Sequence, residues 1–142
     1  MGAQATILKT YGPPSAAYQS NFCVIWAVQN DFPWFPAAKM LINKDFKAKL
    51  FIAFTNLEAA NIEGEIKTFD GCYNDRSVRG MNSTSLHAWA MAIDLNAATE
   101  KLAQLKTNFS PQFIKIMLDA GLFWGGNFKS RLDTMHFALF LG

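Results

Sequence analysis

Two histidines, each close to an aspartate, are the residues of this chain whose types and spacing could do chemistry. His87 stands seven residues before Asp94, and His136 stands three residues after Asp133. Zinc hydrolase sites are built from imidazoles and carboxylates that hold the metal, an open position for water, and a separate carboxylate that moves the proton. The two clusters therefore raise the hypothesis of a zinc hydrolase site.

The local conformation of the first cluster decides whether His87 and Asp94 can face one metal. On a helix, seven residues make two turns, so both side chains would lie on the same face. On one regular strand they would point to opposite sides. The Ala, Leu and Met content favours a helix, whereas the alternation of Met91, Ile93 and Leu95 favours a strand that begins near residue 90. The residues by themselves leave both conformations open.

The spacing of the second cluster suggests different roles for its two members. On an extended chain, a carboxylate three residues from a metal ligand cannot easily share that metal. Asp133 can instead lie over the open face of a site that contains His136. That is the position of a general base toward the attacking water.

Short strands and helices must position these residues. Apolar or alternating runs predict strands at residues 22–28, 65–73 and 135–141. Apolar residues at three- and four-residue spacing predict a helix over 43–61, capped by Asn43. Ser110 and Pro111 begin a second helix, which Gly121 ends.

The remaining segments contain the residues that break regular structure. Residues 1–21, which include Gly12-Pro13-Pro14, are predicted to be an irregular lead-in. Two loops are predicted at residues 31–36 and 75–84. The interspersed strands and helices indicate a single α+β domain.

The composition limits the classes of function. A chain of 142 residues that is 51% hydrophobic can bury a core and is not disordered. Its net charge of +2 comes from scattered lysines and arginines, so no nucleic-acid partner is expected. No apolar run approaches the ~20 residues needed to cross a bilayer, so we expect no membrane partner. We also expect the protein to be a monomer.

Cys23 and Cys72 lack the spacing of a metal site and are expected to be buried free thiols, although a disulfide is open if they meet. The first residues lack the charged-then-apolar pattern of a signal peptide. The chain is therefore expected to be made in the cytosol.

Four motifs together resemble the M15 metallopeptidases, which include VanY-type D-alanyl-D-alanine carboxypeptidases and the L-alanyl-D-glutamate endopeptidases of phage endolysins. They are Ser85-x-His87-x-x-Ala90-x-Ala92-x-Asp94, Trp124-Gly125-Gly126, Asp133-x-x-His136-Phe137 and Gly71-Cys72-Tyr73-x-x-Arg76-x-x-Arg79-Gly80. The resemblance extends from about residue 66 to the C-terminus and includes the helix that begins at Ser110.

The resemblance implies a fold and a set of roles. The fold is the small α+β DD-peptidase (Hedgehog-like) fold, an antiparallel sheet with flanking helices. Residues 1–142 form one domain, in which 1–40 pack as a lead-in and 66–142 carry the motifs. In this family the first cluster is a loop and a strand, not a helix. The implied ligands of one Zn²⁺ are His87, Asp94 and His136.

The remaining implied roles concern the substrate. Asp133 would be the general base and then the acid, and Arg76 would stabilise the oxyanion or hold a substrate carboxylate. Arg79 is a second candidate for that task. Ser85 would orient the site or touch substrate, with capping of a turn as the alternative, and Trp124 with its two glycines would shape the wall of the cleft.

Two positions depart from the family pattern. The family usually has Gly where this chain has Ala90, a change of little consequence unless φ is positive there. After His136-Phe137 the family often has an acidic residue, whereas this chain has Ala138. That difference puts in doubt a carboxylate that would orient His136.

The resulting hypothesis is a zinc peptidase that cleaves peptidoglycan stem peptides, with the L-Ala–D-Glu bond as the expected target and D-Ala–D-Ala as the alternative. Two other classes remain open: a wall-binding relative without activity, and a peptidase for unrelated small peptides. The presence of Asp133 favours an enzyme over the inactive relative. The resemblance to phage endolysins implies that the chain stays in the cytoplasm of the host bacterium before release to the cell wall, or travels in a virion.

Overall fold

The protein is a small α+β domain with two antiparallel sheets and several helices, which confirms the predicted class. A computed structural model describes residues 3–74 and 85–141. The predicted loop at 75–84 lies outside the described residues. No helix in the described part of the chain is long and apolar enough to cross a membrane.

The N-terminal segment is helical, and the prediction of an irregular lead-in is wrong. Helix α1 spans Ala3–Tyr11 and helix α2 spans Ala16–Phe22. Gly12, at φ +79°, ends the first, and the Ser15 hydroxyl caps the second by accepting a hydrogen bond from the Tyr18 amide. The two short helices show little apolar period because each is anchored in the core by a single buried side chain, Ile7 and Tyr18.

A two-stranded sheet and the longest helix follow. Strand β1 (Cys23–Trp26) lies within the predicted strand and pairs antiparallel with β2 (Met40–Asn43); the short helix α3 (Val28–Asp31) separates them. Helix α4 spans Lys44–Ala59, and the Asn43 side chain caps it as predicted.

The aromatic residues around the predicted loop at 31–36 pack the core. Trp26, Phe32 and Phe35 are at most 2% exposed and pack around Phe54 of α4. The partly buried Trp34 donates to Glu58 through its indole nitrogen. This side of the molecule is therefore a packed aromatic core.

The predicted strand at 65–73 does not form. A 3₁₀ turn occupies Glu63–Glu65, and only Phe69 makes a bridge, to Leu95. At the start of the segment, Asn96 Oδ1 accepts from the amides of Lys67 and Thr68, so a side chain takes two backbone donors that a ladder would need. The remaining backbone bonds, to residues 94–96, make only this bridge.

A three-stranded antiparallel sheet carries the second half of the chain. Its order is β3 (Ala92–Asp94), β5 (His136–Ala138), β4 (Phe123–Trp124), so β5 is central. Strand β5 lies within the predicted strand 135–141. Helix α5 spans Pro111–Asp119, begins after the Ser110 cap as predicted, and is followed by Gly121 at φ +94°.

Candidate metal centre

His87 lies on a short 3₁₀ turn, Leu86–Trp89, that comes just before strand β3. The buried Ser85 caps this turn, because its hydroxyl accepts a hydrogen bond from the His87 amide at 3.2 Å. The turn-and-strand conformation that the family resemblance implied is therefore confirmed, and the helical alternative is wrong.

Ala90 ends the turn with φ +53° and ψ +38°, a left-handed conformation that residues with a Cβ rarely adopt. Because φ is positive here, the presence of Ala in place of Gly does have a consequence at this position. The residue is 1% exposed, and its carbonyl accepts from the Asn43 amide at 3.0 Å. This left-handed residue reverses the chain so that it can leave the turn and enter β3.

The sheet register brings Asp94 and His136 together. They are direct partners across the β3–β5 pair, so their side chains leave the sheet on the same face at short range. Asp94 Oδ1 lies 3.4 Å from His136 Nδ1, and Asp94 Oδ2 lies 3.2 Å from His87 Nε2. Two histidines that are 49 positions apart in the chain thus face one carboxylate.

These three side chains form a group that could hold a metal ion. One ligand atom from each lies within 4.8 Å of the others. Ligand atoms at about 2.1 Å from a tetrahedral zinc ion are separated by about 3.4 Å, which is close to the two histidine–aspartate distances. Both imidazoles are buried, and two neutral nitrogens with one carboxylate oxygen are a ligand set that zinc accepts.

The hydrogen bonding of His87 leaves a lone pair directed at Asp94. Its Nδ1 lies 2.7 Å from the Cys72 carbonyl oxygen, which can only accept, so the proton is on Nδ1. In the neutral ring, Nε2 is then an acceptor facing a second acceptor, Asp94 Oδ2. A cation between them resolves this conflict, and a carbonyl that fixes the tautomer is the usual partner of a metal-bound histidine.

The surroundings of Asp94 keep it ionised. Burial raises the pKa of this carboxyl group, but the two imidazoles beside it, His136 and His87, lower the pKa by more and hold it well below its usual range. An ionised carboxylate is the form that binds a metal.

His136 has no comparable outer partner. Its Nε2 is buried and has no hydrogen-bond partner among the residues that the structure describes. The Phe128 ring packs against the imidazole, with 5.7 Å between the ring centroids.

Asp133 is fixed in place through its backbone. Its amide donates to the Gly125 carbonyl at 3.0 Å, and its carbonyl accepts from the His136 amide at 3.1 Å. A Cβ on Gly125 would lie 2.1 Å from the Asp133 carbonyl oxygen, so only glycine permits this approach. The first glycine of the Trp-Gly-Gly motif thus determines where the half-buried Asp133 lies.

The tryptophan of that motif, Trp124, holds the same loop through a hydrogen bond. Its indole nitrogen donates to the Thr134 carbonyl at 2.9 Å, and its ring covers Gly126, where a Cβ would lie 2.2 Å from a ring carbon. On its other side, Trp124 borders an apolar groove of about 430 Å³, lined also by Phe109, Ile114 and Leu118. The role of Trp124 in the wall of the substrate cleft, and its contact with substrate, stay predictions.

Of the other proposed substrate residues, the structure describes Ser85 but neither arginine. Ser85 is 4% exposed and caps the His87 turn, as the alternative for this residue had it, and its contact with substrate stays a prediction. Arg76 and Arg79 lie outside the described residues.

Both cysteines, Cys23 and Cys72, are buried and free, as expected. Burial raises the pKa of both thiols, which keeps them protonated.

Sequence reasoning missed the groups that hold the His87 turn. The Cys72 carbonyl gave no sequence signal, because every residue has a backbone carbonyl. Tyr18 and Asn43 reach the turn from the first third of the chain. The sequence signal for Asn43 was its helix cap, and nothing near Tyr18 indicated a role.

Comparison with known families bears on this site. A family model described as D-alanyl-D-alanine carboxypeptidase, from the M15 peptidases, matches residues 79–139. The match supports the M15 family. It spans all four residues of the two histidine–aspartate clusters and less than half of the chain. No curated protein and no solved structure gives a match.

The M15 match implies a metallopeptidase, and M15 peptidases are typically zinc-dependent and act on peptidoglycan. The matched segment contains the group of three side chains that could bind a metal. The helices α1 and α2, strands β1 and β2 and helix α4 all precede it.

Proposed function

We propose that this chain is a zinc-dependent peptidase that hydrolyses the L-Ala–D-Glu bond of peptidoglycan stem peptides. The observation that carries the proposal is the convergence of His87, Asp94 and His136 on one point, with Asp133 joined to His136 by a backbone hydrogen bond. The M15 match and the motif resemblance point to the same substrate class.

His87, Asp94 and His136 would hold a zinc ion, which would supply Lewis-acid chemistry toward the scissile carbonyl and the attacking water. Asp133 accepts a proton from the attacking water as the new C–O bond forms at the carbonyl carbon. It then donates the proton to the amide nitrogen as the C–N bond breaks, so a single carboxylate acts as base and then as acid. The Cys72 carbonyl keeps the proton of His87 on Nδ1 throughout.

A second candidate is a D-alanyl-D-alanine carboxypeptidase, which the description of the matching family favours. It would use the same ligands and the same base on the terminal bond of the stem peptide. The two candidates differ in product and not in the centre that we describe.

Digestion of purified sacculi with zinc-loaded protein separates them. New N-terminal D-Glu supports the proposed bond, and released D-Ala supports the second candidate. A chelator should abolish release and added zinc should restore it. If the zinc-loaded protein releases neither product, both candidates are wrong.

A further inference from the structure

The His87 turn is fastened to the N-terminal part of the molecule by three hydrogen bonds. The Tyr18 hydroxyl donates to the Trp89 carbonyl at 2.5 Å, and the Trp89 indole nitrogen donates to the Gly12 carbonyl at 3.0 Å. The Asn43 amide donates to the Ala90 carbonyl at 3.0 Å. All three donor–acceptor pairs join a part of the chain that precedes the family match to residues directly after His87.

Tyr18 is the centre of this arrangement. It is 3% exposed, and its hydroxyl accepts from the Asn43 side-chain amide at 2.9 Å while donating to Trp89. Asn43 is also the cap of α4, accepting from the amides of Asp45 and Phe46. A continuous chain of hydrogen bonds therefore connects the start of the longest helix to the carbonyl two residues after His87.

The chemistry of the phenol suits this role. Burial raises the pKa of Tyr18, so the hydroxyl stays protonated and remains a donor to the Trp89 carbonyl. The turn that it holds contains the left-handed Ala90, a conformation that persists only where the surroundings fix it. A buried turn that lost this donor would also leave a carbonyl unpaired.

We propose that Tyr18 is a positioning residue of the metal centre, which holds the Leu86–Trp89 turn so that His87 Nε2 faces Asp94. The inference rests on the proposed function, because it assigns Tyr18 a task toward the zinc ligands. It predicts that the zinc affinity depends on a side chain far outside the segment that the family model matches.

The test compares Tyr18→Phe with Tyr11→Phe in the full chain. Each change removes one phenol hydroxyl from the same aromatic cluster, in which the two rings pack edge to face at 6.2 Å between centroids. The Tyr11 hydroxyl donates to the Asp45 carboxylate and does not contact the turn. Zinc affinity is measured by competition with a chromogenic chelator, and the ligand field by the visible spectrum of the Co²⁺-substituted protein.

Tyr18→Phe should weaken zinc binding severalfold, up to about tenfold, because its hydroxyl acts on the turn and not on the imidazole itself; loss of a direct outer partner of a metal ligand typically costs about 10–100-fold in affinity. It should also alter the Co²⁺ spectrum, whereas Tyr11→Phe should change the affinity less than about twofold. Equal affinities and spectra for the two variants would overturn the inference. Wild-type protein that binds no zinc would instead overturn the proposed function.

Should Tyr18→Phe not fold, Trp89→Phe tests the same fastening. It removes the bond from the indole nitrogen to Gly12 and retains an aromatic ring. We expect a severalfold loss of zinc affinity, and an unchanged affinity would again overturn the inference.

Discussion

The two halves of the candidate metal centre are held in different ways. The turn that carries His87 is held by other parts of the chain, through the Cys72 carbonyl, the Tyr18 hydroxyl and the Asn43 amide. The strand that carries His136 is held by its own sheet, between β3 and β4, and by the Gly125 loop. One half thus depends on tertiary hydrogen bonds and the other on strand register.

This difference shows in the outer nitrogens of the two rings. His87 Nδ1 donates to a carbonyl at 2.7 Å, while His136 Nε2 has no partner among the described residues. The orientation of His87 is therefore fixed by a hydrogen bond and that of His136 by packing and register. Changes in the N-terminal helices should affect the first half, and changes near Gly125 should affect the second.

Both halves of the centre must supply a metal ligand, and the largest expected effects test this requirement. Replacing His87, Asp94 or His136 singly with Ala should weaken zinc binding by more than about 100-fold, because even loss of an outer partner costs about 10–100-fold. The measurement is zinc affinity by chelator competition. If one histidine proves dispensable for zinc, the two halves do not form one centre.

Removing the proposed base should separate chemistry from metal binding. Asp133→Asn should slow release of peptide from sacculi by about 10²–10⁴-fold, the usual contribution of general acid–base catalysis, while zinc affinity stays close to wild type. Asp31→Asn, at the exposed end of α3, is the control and should match wild type, because an amide oxygen can still accept from the Trp26 indole nitrogen. An active Asp133→Asn enzyme would remove this residue from the mechanism.

A methyl group at Gly125 should disturb the second half selectively. The new Cβ would lie 2.1 Å from the Asp133 carbonyl oxygen, so the loop must shift. We expect activity to fall by about 10–100-fold, since a displacement of about 1 Å at a catalytic group can cost 10²-fold. Zinc affinity should fall less, because the pairing of β5 still holds His136.

The control for this change is Gly64→Ala, where a Cβ would meet nothing within 4 Å. Both variants should be assayed for peptide release and for zinc affinity. If Gly125→Ala and Gly64→Ala are equally active, the close approach of Gly125 does not position Asp133.

The smallest expected effects concern the turn of the first half. Ala90→Val should destabilise the protein by at least about 2 kcal/mol, because a β-branched residue is strained at positive φ. Ala90→Gly relieves about 1 kcal/mol of left-handed strain but loses a buried methyl group worth about 0.8 kcal/mol, so its net change should stay within about 1 kcal/mol. Urea unfolding of the metal-free variants measures both, and equal stability of the Val and Ala proteins would contradict the strained turn.

Local signals predicted part of the fold. Asn43 and the Ser110-Pro111 pair marked the starts of two helices correctly, because a cap acts within its own turn. The strand predicted at 65–73 did not form. At its start, the amides of Lys67 and Thr68 donate to the side chain of Asn96, which lies about 30 residues further along the chain. The helices before Phe22 were missed because one buried residue in each gives no apolar period.

The candidate site was predictable as a set of residues but not as an arrangement. The residue types and the family resemblance picked out His87, Asp94 and His136. The direct pairing of Asp94 with His136 depends on strand register, and the turn that carries His87 is hydrogen-bonded to Tyr18 and Cys72. Although Cys72 belongs to one of the motifs, no motif specifies the register or these contacts.

The most direct test of the central claim is X-ray absorption at the zinc edge of the zinc-loaded wild-type protein. We predict one zinc per chain with nitrogen and oxygen ligands at about 2.0–2.2 Å and the scattering pattern of two imidazoles. A sulfur ligand at about 2.3 Å, which only a cysteine such as the nearby Cys72 could supply, would contradict the account. So would a protein that retains no zinc.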